Sequence, residues 1–121
     1  MTTDEVLDAF YLNSVTLFGV VSQYGVKARE QTNGTPHARC DLVIKELGFD
    51  DKVRTLYVTV EGWGRAATQM RDLRPGHAAL VEGKVARAKR AAKDPQAGDD
   101  WYTTVQAWRV QAVEAEEDTH G

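Results

Sequence analysis

The 121-residue sequence contains no uninterrupted run of about 18 apolar residues, which excludes a helix that could span a bilayer. Cysteine is almost absent. Cys40 stands alone, so no internal disulfide can form, and a reducing compartment is expected. Histidine is scattered at His37, His77 and His120, without the closely spaced pairs that a zinc site needs. The segment Glu61-Gly62-Trp63-Gly64 lacks the GxGxxG spacing of a phosphate loop. No Ser/His/Asp set has supporting local context. No metal, cofactor or enzymatic activity is therefore expected. Basic residues are missing from the first eight positions and from the last eight. An N-terminus of that kind is not a secretory signal, and a cytoplasmic location is expected.

The length suits one domain with one core. Three acids at the start and four at the end leave residues 9–113 with 15 bases against 11 acids, a net of +4 inside a chain of net −3. A mildly basic body with acidic ends is compatible with an anionic partner, and equally with an ordinary solvated surface.

Thr2-x-x-Glu5 matches a capping box, and Val6, Leu7, Phe10 and Leu12 follow at helical spacing, so a short helix is expected over 3–11. Residues 13–21 alternate with period two and form a first strand. The polar segment 23–33 ends in the turn pair Asn33-Gly34. In a second strand, 37–44, Ala38, Cys40, Leu42 and Ile44 face the core. Cys40 reads as a small core residue rather than a nucleophile. A charged loop over 45–52 leads to a third strand, 53–63. There Leu56, Val58, Val60 and Gly62 face inward, while Val53, Thr55, Tyr57, Thr59, Glu61 and Trp63 face out. Residues 65–73 form a short amphipathic helix ended by Pro75-Gly76. Strands over 78–90, with Ala79, Val81 and Val85 inward, and over 101–113 complete the set. Residues 114–121 form an acidic tail expected to be disordered.

Five short strands, with one helix between the third and fourth, make the element pattern of an all-β, five-stranded Greek-key OB barrel over 13–113. The extension 1–12 precedes it. Threonines and a glutamate mark the outer face of 53–63 as wet, so Tyr57 and Trp63 place two large rings near water. Such rings can stack unpaired bases, each stack contributing about 1–3 kcal/mol. Lys84, Arg87, Lys89, Arg90 and Lys93 crowd the hairpin between the last two strands, beside that face, and Arg39 and Arg54 add to its rim. These cations would neutralise phosphates without reading sequence. The same rings can also cover a subunit interface or a helix.

The residues also resemble the bacterial single-stranded DNA-binding protein (SSB) family. Asn13 to Val21 is similar to its N-x-V-x-L-x-G strand, and Asn33-Gly34-x-Pro36-x-Ala38 to its turn into strand two. Trp63-Gly64-Arg65-Ala66-Ala67 followed by Leu73-Arg74-Pro75-Gly76 is similar to its helix entry and exit. Val81-Glu82-Gly83-Lys84-Val85 and Tyr102-Thr103-Thr104 match its last two strands. The matches are collinear over 13–113. The resemblance implies an OB fold that binds single-stranded DNA without sequence preference, with Tyr57 and Trp63 as stacking residues. It also implies a homo-oligomer, a tetramer ahead of a dimer, and replication or repair proteins as partners. Three departures stand out. Arg90 takes the place of one stacking tryptophan, and Gly48 or Phe49 that of another. The acidic end lacks a terminal Phe.

Three readings are open at this level. The first is a sequence-independent single-strand binder. The second is a primosome-type accessory OB protein acting mainly through protein partners. The third is a structural OB module whose rings form an oligomer interface.

Overall fold

The computed structural model describes residues 1–9, 13–90, 96 and 100–113. Helix α1, Thr3–Ala9, begins with half of the expected capping box: the Glu5 N–H donates to Thr2 Oγ1 at 3.2 Å. Phe10, read as part of this helix, and Leu12, read at its spacing just beyond it, lie outside the described residues.

Six strands follow: β1 Val15–Val21, β2 Lys27–Glu30, β3 Pro36–Leu47, β4 Val53–Trp63, β5 Ala78–Arg90 and β6 Asp100–Val113. Helix α2, Arg65–Met70, lies between β4 and β5. Strand β1 pairs with both β5 and β3. With β5 on β6, β6 on β4 and β4 on β3, the five long strands close a ring. All pairings are antiparallel except β4–β6, a short parallel seam of three pairs, Val60↔Val105 to Gly62↔Ala107. This is the expected five-stranded barrel. Strand β2 is an addition to it. Read as part of a polar loop, Lys27–Glu30 instead pairs with β3 across the Asn33-Gly34 turn, where Gly34 takes φ +82° and Asn33 Oδ1 accepts the Thr35 N–H at 3.0 Å.

Val21, Leu42, Val60, Val81, Val105 and Val110 fill the interior, drawing on every barrel strand. Burial of each such side chain contributes about 1.5–3 kcal/mol. Helix α2 packs on β3, β4 and β6 with Ala66, Ala67 and Met70 buried. Gly62 makes that contact close. A Cβ there would come within 2.9 Å of Met70 Sδ and 3.0 Å of Ala66 Cβ. Cys40 is buried as expected. Desolvation, with the charge of Asp41 beside it, pushes its thiol up to about 11.

Two hairpins outgrow the barrel, which corrects two inward assignments. Leu56 is 41% exposed on the β3–β4 arm and Val85 is 45% exposed on the β5–β6 arm, because neither has barrel left beneath it. Asn13 ties the chain to the second arm. Its Nδ2 donates to the Val85 carbonyl at 2.7 Å, and its Oδ1 accepts the Val85 N–H at 2.9 Å. Strand β6 also carries a bulge. Glu82 faces Arg109 and Gly83 faces Ala107, so Trp108 has no partner on β5.

Candidate nucleic-acid interface

On the outer face, where β2, β3, β4 and the β5–β6 arm converge, lies a groove of about 440 Å³. The pairings Arg39↔Glu61 and His37↔Trp63 set its floor, because residues directly opposite in an antiparallel pair share a face. Gln106, opposite Glu61 across the parallel seam, continues the floor onto β6. Arg29 and Gln31 form one wall, and Arg87, Ala88, Lys89 and Tyr102 the other. Four of the predicted site residues therefore meet here: Trp63, Arg39, Arg87 and Lys89.

The aromatic groups of the groove are held in place by neighbours. The Trp63 indole is 36% exposed and lies 5.0 Å from the His37 ring, centroid to centroid, tilted by 50°. The Tyr102 hydroxyl donates to Glu61 Oε1 at 2.7 Å, and the Arg39 guanidinium sits 5.4 Å from the Tyr102 ring centroid. Glu61 Oε2 lies 3.5 Å from His37 Nε2. This corrects the reading of Glu61 as a mark of the wet face: it is 5% exposed. Its carboxylate ties β3 to β6 beneath the rings, and its charge is satisfied from within rather than presented to a ligand.

On the arm, Trp101 is 54% exposed and opposes Lys89 in register. The Arg87 guanidinium lies 4.1 Å from the Trp101 ring centroid and Lys89 Nζ lies 5.8 Å from it. A guanidinium stacked on a ring keeps its N–H edges available to an anion. Trp101, Tyr102 and His37 were not among the predicted site residues. The signal for Trp101 was present, since a symmetric hairpin over 84–106 sets it against the basic run.

The other predicted residues do not gather here. Tyr57 is 69% exposed but lies six residues from Trp63 along β4, about 20 Å away at strand spacing, and does not line the groove. Arg54, on the β3–β4 arm, is engaged by Asp50 in a fork, Nη1–Oδ1 at 3.1 Å and Nη2–Oδ2 at 2.6 Å, and its hydrogen bond holds the Asp50 carboxyl below the usual range. Lys84 lies on the far side of Trp63. The Arg90 side chain and Lys93 lie outside the described residues.

No family model matches the chain. A single-stranded DNA-binding protein of Mycoplasma pneumoniae is 31% identical over 78 residues, which cover 64% of this chain and 46% of that protein. The wild-type single-stranded DNA-binding protein of Thermus aquaticus, known from a crystal structure, superposes with a TM-score of 0.69 at 24% identity, over 91% of this chain and 44% of that one. The chain thus spans less than half the length of either relative. The structural likeness establishes the barrel as the same fold, and the sequence identity agrees with the resemblance carried by the motifs.

Proposed function

We propose that this chain, an OB barrel of the SSB kind, binds single-stranded DNA in the groove beside Trp63 without reading its sequence. One observation carries the reading: stackable rings and cations occupy one groove on a rigid sheet, and the single acid among its lining residues is buried. Trp63 and Tyr102 offer faces to splayed bases. Arg39, Arg87 and Lys89 offer charge to the phosphates between them. A duplex, whose bases are already stacked, gains nothing from such rings. The basic path runs along the arm from Arg87 to Lys89. The chain acts as a binder rather than a catalyst, in the cytoplasm, covering single strands during replication, recombination or repair. Trp101 and Tyr102 add further rings on the arm beside Arg87 and Lys89, which favours strand binding over an accessory role through protein partners.

The test is a titration with oligo(dT) at two salt concentrations. Trp63→Ala is expected to cost about 1–3 kcal/mol of affinity. Unchanged affinity for Trp63→Ala and for Arg87→Ala together would end this reading.

For Tyr57 a second reading is favoured, as part of a contact between copies of the chain. Its register neighbour is Val43, Val43 faces Val20, and Val20 faces Ala78, beside Phe18 and Leu80. Phe18 is 57% exposed in this apolar stripe. Tyr57 is thus continuous with an unpaired apolar face that suits a homo-oligomer. On this reading Tyr57→Ala lowers the assembled mass in light scattering and leaves the affinity of each protomer for short oligo(dT) intact.

A further inference from the structure

On the other side of Trp63 lies a second cleft, of about 310 Å³, lined by Trp63, Arg65, Ala66, Lys84, Gln106, Ala107 and Trp108. Trp63 and Gln106 also line the first groove, so the two depressions share a wall. Trp108 reaches the cleft because of the bulge. Just before the bulge, Val105 and Ala107 point inward and are buried. After Trp108 the phase is reversed and Val110 is buried. The extra residue swings out, 52% exposed, with no partner on β5. The slip is held from behind, where the Val110 N–H donates to Gln69 Oε1 of α2 at 2.8 Å. Gly83 allows the close approach of β5, since a Cβ there would run into the Gln106 carbonyl and lie 2.9 Å from Ala107 Cα. Lys84 on β5 and Arg65 at the start of α2 flank the ring. Glu82, two residues before Lys84, has Arg109 3.9 Å away. The cleft therefore joins a presented indole to two cations, the same pairing of ring and charge as the groove.

We propose that the bound strand continues over Trp63 into this cleft, where Trp108 stacks a further base and Lys84 and Arg65 hold the adjoining phosphates. The proposal rests on the single-strand reading above. Stacking on an indole is indifferent to base identity, so the extension lengthens the site without adding sequence preference. It also gives Lys84 a role that the groove does not.

The experiment compares oligo(dT) of about 4 and about 16 nucleotides, the two limits of site size for one OB fold. The variants are Trp108→Ala, Trp108→Phe, Lys84→Gln and Trp63→Ala, each checked by thermal melting. Trp108→Ala weakens the long oligomer by about 5-fold or more and leaves the short one within about 2-fold; Trp108→Phe restores most of the loss. Lys84→Gln lowers the salt slope by about 0.7 for the long oligomer alone, which keeps the test decisive if Trp108→Ala does not fold. Trp63→Ala weakens both lengths. If Trp63→Ala weakens binding while Trp108→Ala and Lys84→Gln change neither length, the cleft is not part of the path and the proposal is overturned. It is also overturned if Trp108→Ala lowers the oligomer mass with binding unchanged, since the cleft then receives a second copy of the chain. If Trp63→Ala and Arg87→Ala both bind as the parent does, it is the single-strand reading that fails.

Discussion

Arg87 offers the sharpest separation of charge from stacking in the groove. Its guanidinium lies 4.1 Å from the centroid of the Trp101 ring and lines the groove at the same time. Replacing it with Gln removes one cation from the proposed phosphate path. For single strands each neutralised phosphate contributes about 0.7 to the slope of log affinity against log salt. Between 50 and 200 mM salt, a fourfold change, the parent therefore loses about 2.6-fold more affinity than Arg87→Gln does. The ring contact is already made in the free protein, so its loss lowers stability by about 0.5–1 kcal/mol at an exposed site rather than affinity. Arg87→Lys keeps the charge and gives up the planar guanidinium, so its slope matches the parent. The assay is a fluorescence titration with oligo(dT) across a salt series. Parallel lines for parent and Arg87→Gln would show that Arg87 meets no phosphate, and the path along the arm would have to be redrawn.

Three further outcomes are expected. With the Cys40 thiol raised from an ordinary value of 9.0 to about 11, its contribution to stability is complete below pH 9 and is lost as pH rises toward 11; in chemical denaturation Cys40→Ala flattens that alkaline decline, and an unchanged decline would contradict the assignment. Gly83→Ala forces a methyl group against β6 at the bulge and costs about 1–3 kcal/mol, read as a lower melting temperature; a melt equal to the parent's would show that the strands can part there. Tyr102→Phe strips a donor from a buried carboxylate and costs about 1–3 kcal/mol of stability, with the additional Glu61→Gln change recovering part of it; a neutral Tyr102→Phe would mean that Glu61 has no need of the hydroxyl.

The architecture was legible where periodicity reports burial. Strand β5 occupies 78–90 as read, because alternating Ala79, Val81 and Gly83 can only be satisfied by one face of a sheet. Alternation cannot say where a barrel stops beneath a strand, so Leu56 and Val85 kept the inward phase while standing on arms. Lys27–Glu30 carries no apolar pattern, and it is a strand because β3 passes beside it. Glu61 is buried by partners 24 and 41 residues away in sequence, which no local pattern encodes. The bulge left a trace in principle: the apolar positions Val105, Ala107 and Val110 change spacing at Trp108. Of the candidate site, Trp63 and the cations Arg39, Arg87 and Lys89 were named from the sequence, whereas the rings of His37, Tyr102 and Trp101, the distance of Tyr57 and the local engagement of Arg54 required the register.

The parallel seam between β4 and β6 holds the barrel shut with only three residue pairs, reinforced by the Thr104 hydroxyl donating to the Thr59 carbonyl at 3.1 Å. Glu61 and Trp63 stand on one bank of that seam, Tyr102 and Gln106 on the other. Any molecule lying across them acts as a clasp, bridging the lips of a short joint in the wall. If a strand lies there as proposed, occupancy reinforces the seam: amide protons along Val60–Gly62 and Val105–Ala107 are expected to exchange more slowly in the loaded barrel, and the melting temperature to rise with ligand.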